Sequence, residues 1–455
     1  MSKRFAWLFG VMILVAIGLL VACGDKYNSA SDGLVLVSSQ GSGLLESFSF
    51  SLNSGSIFAV NNPPGDTSND VCVLNGIPSG IVVDPAGTYA YTIITANVPA
   101  CGSGSTVTGI AAFRVNSSGT MTAVGSIVPD PNPTQLVMDS TGKFLFVAEG
   151  LSTTSIANAN VPQAKTPCVQ NNTQYGVCVY AIGSGATLTA VPATFTFALP
   201  PESGFQAPNF AAVAATPMVL PGLVNGVQQG VCSSQASNPL TAEYLYAADS
   251  VNNVVWEFLV DTSTGALGNP PGTQSVQPPQ GSSLQPPSTG STPSGITVDA
   301  CDRFVYVANN LSNNVSAYTI CNGGPSQGSN CPAQDGSLQP VSGSPFSLTG
   351  GANGPGPMMT DPFGNYLYVL NLLSNQISTF HISPVAGTLA AGNPAIVATG
   401  NQPKSMAIRA DDNWLFVANF QAATLSQYSV TPATGALTPL PATTTDNYPW
   451  GVAVK

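Results

Sequence analysis

The sequence predicts an all-β chain, a propeller of seven four-stranded blades closed into a ring by its own C-terminus. Three observations lead there. A unit of three short strands recurs along the chain, most completely in Pro293–Ile320. Most copies are followed by a small turn and a short apolar tail, read as a fourth strand, as in Thr264–Leu267, Gly336–Gln339 and Thr434–Thr438. The two chain ends carry complementary pieces of the unit. Repetition on this scale marks stacked or radial architectures, and four strands per unit is the propeller arrangement.

Each copy alternates strand formers with turn formers. In the fifth copy Ile296–Val298, Phe304–Ala308 and Val315–Ile320 are rich in Val, Ile, Tyr and Phe, and Asn, Ser, Gly and Asp separate them. The first copy has only the second and third strands, Leu34–Ser39 and Leu44–Phe50. The second reads Pro78–Asp84, Tyr89–Thr92 and Gly109–Val115; the third runs from Pro133 through Leu136–Asp139, then Phe144–Ala148 and Gly176–Ile182. The fourth, Phe210–Ala214, Tyr244–Ala248 and Val254–Val260, is split by an insert. The sixth runs Met358–Asp361, Tyr366–Leu370 and Gln376–Ile382, and the seventh Met406–Arg409, Trp414–Ala418 and Thr424–Val430. Pro449–Lys455 repeats the first strand alone. It supplies what the first copy lacks, so one blade draws on both ends and no sheet edge is left open. Seven units average about 60 residues, above the ~40–50 usual for a blade. Inserts at 97–108, 151–174, 218–241, 269–292 and 321–334 absorb the excess; the Pro/Gln/Ser-rich 269–292 reads as an extended, poorly ordered loop.

Ahead of the repeats, Lys3 and Arg4 precede an apolar run from about Phe5 to Val21, ending in Leu-Val-Ala-Cys-Gly (20–24). A basic head, an apolar middle and small residues before a Cys describe an export signal over 1–22. It is similar to bacterial lipoprotein signals, which implies lipidation of Cys23, a tether over 23–33 and the propeller over 34–455. Gly24, in place of Asp, implies the outer membrane by the same resemblance, with the domain facing the periplasm or the cell surface. Without the signal the chain carries 8 basic and 21 acidic residues, a net −13. Such a chain lacks the basic stripe that nucleic acid requires. Charged residues are only 7% of the whole, against about 25% in typical soluble proteins.

Eight cysteines remain besides Cys23, an even number in an exported chain, so disulfides are expected. The repeat frame suggests Cys168–Cys178 and Cys321–Cys331 across short loops, Cys72–Cys101 within one repeat, and Cys232–Cys301 between neighbouring first turns. With one histidine and no Cys-x-x-Cys, a structural zinc site is not expected. No cofactor is expected either.

Tyr-Val-Ala-Asn (306–309), Phe-Val-Ala-Asn (416–419) and Tyr-Val-Leu-Asn (368–371) resemble the Tyr-Val-Thr-Asn type of propeller repeat. With Asp-Pro-x-Gly turns at 84–87 and 361–364 and the Thr-Gly-x-Leu tails, nearly all of 34–455 resembles the seven-bladed propeller lactonases, which include 6-phosphogluconolactonases. The resemblance implies the fold and, as one option, hydrolysis of a sugar-acid lactone. These motifs are structural, and the charged and His side chains expected at the central cleft of that family have no position-by-position counterpart here.

Asp84, Asp139, Asp299 and Asp361 recur after the first strand. They form either a ring of carboxylates or caps of tight turns; Asp-Pro-x-Gly is turn chemistry, and Arg409 at the same place in the seventh copy favours the caps. Gly-Pro-Ser-Gln-Gly (324–328) fits the Gly-x-Ser-x-Gly nucleophile pattern, but no helix pattern follows to make the elbow. Gly350–Gly356 lacks the Lys-Ser/Thr of a phosphate loop. His381 is the single catalytic candidate, in a strand with no evident partner. The aromatics Tyr91, Phe146, Tyr246, Tyr306, Tyr368 and Phe416 read as inter-blade packing. The sequence is thus read as a monomeric, lipid-anchored propeller of the cell envelope, binding or scaffolding a small molecule or protein at one face without catalysis. A lactone hydrolase is the alternative, and adhesion through the long uncharged loops a third.

Overall fold

The computed structural model describes residues 32–60, 71–72, 76–95, 107–130, 132–150, 176–191, 209–216, 223–224, 227–228, 243–268, 286–321, 331 and 336–455. The signal, Cys23, most of the tether, the Gly-Pro-Ser-Gln-Gly motif and Cys101, Cys168 and Cys232 lie outside them. No helix among the described residues is long and apolar enough to cross a membrane.

Seven antiparallel sheets stand side by side around an axis. Blade 1 is built from both ends of the chain: Pro449–Val454 is its innermost strand, followed outward by Asp32–Ser39, Leu44–Ser51 and Ile57–Ala59. The closing register pairs Val35 with Val454 and Val37 with Val452. Blade 2 contains Ile77–Val83, Tyr89–Thr95, Gly109–Val115 and Met121–Pro129. Blade 3 contains Pro133–Met138, Phe144–Glu149, Val177–Ile182 and Leu188–Ala190. Blade 4 contains Phe210–Ala215, Glu243–Asp249, Val254–Val260 and Leu267–Gly268. Blades 5, 6 and 7 begin with Pro293–Val298, Pro355–Thr360 and Pro403–Ile408 and end with Leu338–Pro340, Leu389–Ala398 and Ala436–Thr444. Each innermost strand lies against those of both neighbouring blades, so the ring is complete.

The core lies between blades. Tyr91, Phe146, Tyr246, Tyr306, Tyr368 and Phe416, all in second strands, are fully buried. Three of these tyrosines also latch onto the next blade: the Tyr246, Tyr306 and Tyr368 hydroxyls donate to the carbonyls of Gly336, Gly387 and Gly435, at 2.8, 3.1 and 3.1 Å. Those glycines have positive φ and lie flat on a ring of the preceding blade; a Cβ on Gly387 would come within 2.5 Å of the Phe304 ring. Glycine alone satisfies both conditions, which explains the Thr-Gly-x-Leu tails.

The asparagine that ends the repeat motif is structural as well. Asn309, Asn371 and Asn419 are fully buried, and their amides donate to the hydroxyls of Ser316, Ser378 and Ser426, seven residues on, at 2.9, 2.9 and 2.8 Å. The insert at 269–292 is more ordered at its end than a loose loop: Ser288 bridges to Val254, and the Val255 amide donates to the Pro287 carbonyl at 2.9 Å. Within 218–241, Leu223–Val224 and Val227–Gln228 form a small hairpin.

Cys321 and Cys331 form a disulfide, as their spacing suggested. Cys178 and Cys301 are disulfide-bonded too; the partners expected for them, Cys168 and Cys232, lie outside the described residues.

Candidate site at the axial mouth

Each innermost strand shifts register against its neighbour near its start. Lys404 is an extra residue between the pairs Pro403–Asn419 and Ser405–Ala418, and Trp450 between Pro449–Ser39 and Gly451–Ser38. Thr134, Ala211 and Ser294 hold the same place in blades 3, 4 and 5, and Ser79–Gly80 and Gly356–Pro357 share it in blades 2 and 6. A bulge re-aims the side chain it carries. Most of these residues are at least partly exposed while the proline or phenylalanine before them is buried, so they rim the axial opening. This mouth shares a face with the second-to-third-strand turns.

Most of the rim is small: Ser294 donates to the Pro355 carbonyl at 2.8 Å, and Thr134 to the Ala148 and Phe210 carbonyls at 3.0 and 2.9 Å. Blades 7 and 1 differ. The Lys404 ammonium lies 4.8 Å from the Trp450 ring and 5.5 Å from the Phe420 ring. Phe420 stacks on Tyr448 at 4.8 Å and meets Trp450 edge-on at 5.6 Å. Desolvation holds the Lys404 ammonium below its usual pKa. Leu311 and Leu373, the most exposed large apolar residues described, stand on turns of the same face in blades 5 and 6.

Behind Thr134, at the junction of blades 2 and 3, Asp130 and Glu149 are buried together. Tyr180 donates its hydroxyl to Asp130 Oδ2 at 2.6 Å, and the Asn132 amide donates to Glu149 Oε2 at 3.2 Å. Burial, then the Asp130 charge, push the Glu149 carboxyl well above its usual pKa. Ligand atoms of Asp130, Glu149 and Cys178 lie within 4.8 Å of one another, the one group of metal-ligating type among the described residues. Because Cys178 is in a disulfide it offers no thiolate, and two carboxyls alone do not define a metal centre.

The opposite face carries the first-to-second-strand turns. There Asp84, Asp139, Asp299 and Asp361 each accept the amide N–H five residues on at 2.7 Å, which makes them turn caps. In blade 7, where Arg409 replaces the aspartate, Asp411 accepts the Asn413 amide at 3.2 Å and pairs with Arg409. Further buried acids sit between these caps. Glu243 and Asp412 are fully buried, and neither carboxyl has a hydrogen-bond partner. Burial first, then the charge of the preceding blade's cap (Asp139 for Glu243, Asp361 for Asp412), raise each to about 8. Asp302 is raised well above the carboxyl range by burial, Asp299 and Glu243. The recurring aspartates weighed in the sequence are therefore turn caps, and in blades 3 to 7 they stand with Glu243, Asp302 and Asp412 in a buried acidic row. Arg303 is its buried cation, paired with Asp299 at 2.7 Å.

His381 is not brought to the mouth. It lies near the far end of its strand, exposed, with its ring 5.6 Å from Tyr366. Gly350, Gly351 and Gly354 have positive φ in the turn before blade 6, consistent with a turn rather than a phosphate loop.

The chain is a seven-bladed, all-β propeller. Residues 296–454, about a third of its length, match the family described as lactonase, 7-bladed beta-propeller; the match spans blades 5 to 7 and the closing strand and includes Lys404 and Trp450. No curated protein matches the sequence. Among solved structures it is similar to a Bacteroides uniformis protein assigned provisionally as a 6-phosphogluconolactonase (17% identity, TM-score 0.62, covering 93% of this chain and 100% of that one). It is also similar to the periplasmic gluconolactonase of Pseudomonas aeruginosa (18%, 0.60, 93% and 99%) and to a Lactobacillus plantarum protein (12%, 0.63, 93% and 99%). At these identities the likeness is one of fold.

Proposed function

We propose that the chain is a lactone hydrolase working at the axial mouth, carried on an exported lipoprotein anchored through Cys23. The observation that supports hydrolysis is the lactonase-family match over 296–454, the stretch that supplies Lys404 and Trp450. The non-catalytic scaffold reading has no comparable support. In the reaction, water adds to the lactone carbonyl carbon, the ring C–O bond breaks, and a hydroxy acid leaves with one proton released. Asp130–Glu149, a buried carboxyl pair on the mouth face whose Glu149 is pushed up by burial, is the acid–base candidate. Export and the outer-membrane address rest on the signal sequence alone.

The test is turnover by the purified full chain on five- and six-membered aldonolactones. Saturable hydrolysis, lowered at least tenfold in kcat by Glu149→Gln and unchanged by His381→Ala, is expected. Absence of turnover across the panel refutes the hydrolase. Labelling of cells with a radioactive fatty acid tests the anchor, which predicts incorporation abolished by Cys23→Ser.

A further inference from the structure

We propose that Lys404 with the rings of Trp450, Phe420 and Tyr448 forms a subsite for an acidic sugar, the rings taking the apolar face of the hexose and the ammonium its anionic substituent. The proposal rests on the reading of the mouth as the place where substrate binds. It adds a ligand feature, a negative group beside the sugar ring, that the lactone bond itself does not require.

Lys404 is a half-buried cation with no acceptor among the described residues. Among the described residues its ammonium takes part in no hydrogen bond or ion pair, and the two ion pairs described are Arg303–Asp299 and Arg409–Asp411. Ring faces attract a cation, yet they accept no full hydrogen bond, so the three N–H donors of the ammonium stay available to a ligand. A partly desolvated ammonium in that state gains most from an anion that shares its site. The chain carries few cations that could compete for such a ligand: it has 10 basic residues against 21 acidic ones.

The platform is fixed before a ligand arrives. The Tyr448 turn is tied to blade 1 by amide donation from Gln40 to the Tyr448 carbonyl at 2.9 Å and from Gly41 to the Asn447 carbonyl at 3.0 Å. Phe420 is held by donation of its amide to the Gln402 carbonyl at 2.8 Å. Lys404 and Trp450 sit in bulges of paired strands, so neither backbone must order on binding. Tyr448 remains 48% exposed, which keeps the outer end of the platform open to solvent.

Calorimetric titration of the purified full chain with glucuronate, with glucose as the neutral control, tests the assignment. Glucuronate should bind at least tenfold more tightly than glucose, and the difference should shrink as salt is raised. Lys404→Met should abolish the preference while leaving glucose binding alone; Lys404→Arg should keep it. Trp450→Ala should weaken both sugars several-fold. Equal affinity for the two sugars, no binding of either, or a preference that survives Lys404→Met overturns the proposal. Glucuronate binding without any lactone turnover refutes the hydrolase and leaves the subsite standing. Turnover of acidic lactones with a KM unchanged in Lys404→Met does the reverse.

Discussion

The buried acids of the turn face give the sharpest stability prediction: the ring is held together partly by protons and weakens as pH rises. Glu243 is fully buried with both carboxyl oxygens unpaired and titrates near 8, against 4.5 for the free side chain. A folded-state value above the unfolded one means the native state binds the proton more tightly, so stability falls as pH rises from about 4.5 and levels off above about 8. At about 1.4 kcal/mol per unit, the full loss is roughly 5 kcal/mol, of which about 3 is incurred by pH 7. Asp412 behaves alike, with an effect of the same order. Unfolding entropy of about 2.1 cal/mol/K per residue over some 420 residues makes 1 kcal/mol worth about 1 °C. Thermal melts by circular dichroism from pH 5 to 9 should therefore show the midpoint falling by several degrees. Glu243→Gln and Asp412→Asn, which cannot ionise, should each flatten the curve and melt above wild type at pH 9. Should both amide variants follow the wild-type pH profile, these carboxyls do not carry protons in the native ring, and the reasoning from burial fails.

Other perturbations separate the contributions to the blade interfaces. Tyr368→Phe removes the hydroxyl donated to Gly435 and should cost about 1–2 kcal/mol in chemical denaturation, because a buried carbonyl loses its donor. Gly387→Ala places a Cβ against the Phe304 ring in a left-handed backbone and should cost more, about 2–4 kcal/mol, read as a lower melting midpoint. Cys321→Ser with Cys331→Ser opens a loop closed across a sequence separation of 10 and should lower stability by about 2–3 kcal/mol, with reduction of the wild type tested alongside.

The architecture was legible because its signal is periodic. Strand formers, turn formers and the Tyr-Val-x-Asn ending recur with little change, and the orphan strand Pro449–Val454 announced closure. The site was not, for a reason visible in the same repeats. Reading strands from their apolar runs began blades 5, 6 and 7 at Ile296, Met358 and Met406, three residues late in each case. Proline at the true start donates no hydrogen bond, and the bulge after it interrupts the alternation that marks a strand. Lys404 thus fell among residues counted as turn, whereas Trp450 lay within the strand read over Pro449–Lys455 with nothing to mark it as bulged. The signal was present nonetheless: after the recurring proline stand Ser79, Thr134, Ser294, Gly356, Lys404 and Trp450, a changing position in a fixed frame. Glu149 and Asp249 likewise stand where Asn309, Asn371 and Asn419 do, a substitution that only alignment by blade reveals. The buried acids were hidden more deeply. Nothing local distinguishes Asp412, beside the exposed Asp411, as the one without solvent.

Ring closure and the candidate site are the same event. The strand that seals the propeller comes last in the chain, and its bulged residue is the tryptophan beside which Lys404 of blade 7 lies. Phe420 reaches the same point from the neighbouring turn, and Tyr448 from the link into the closing strand. Until Pro449–Val454 pairs with Asp32–Ser39, the innermost strand of blade 7 has a neighbour only in blade 6, and the ammonium lacks its nearest ring. An aromatic and a cation needed together are therefore assembled only in the finished ring. That placement ties recognition to completeness of the fold, and it accounts for two exceptional rim residues standing side by side at the seam of an otherwise small, uncharged mouth.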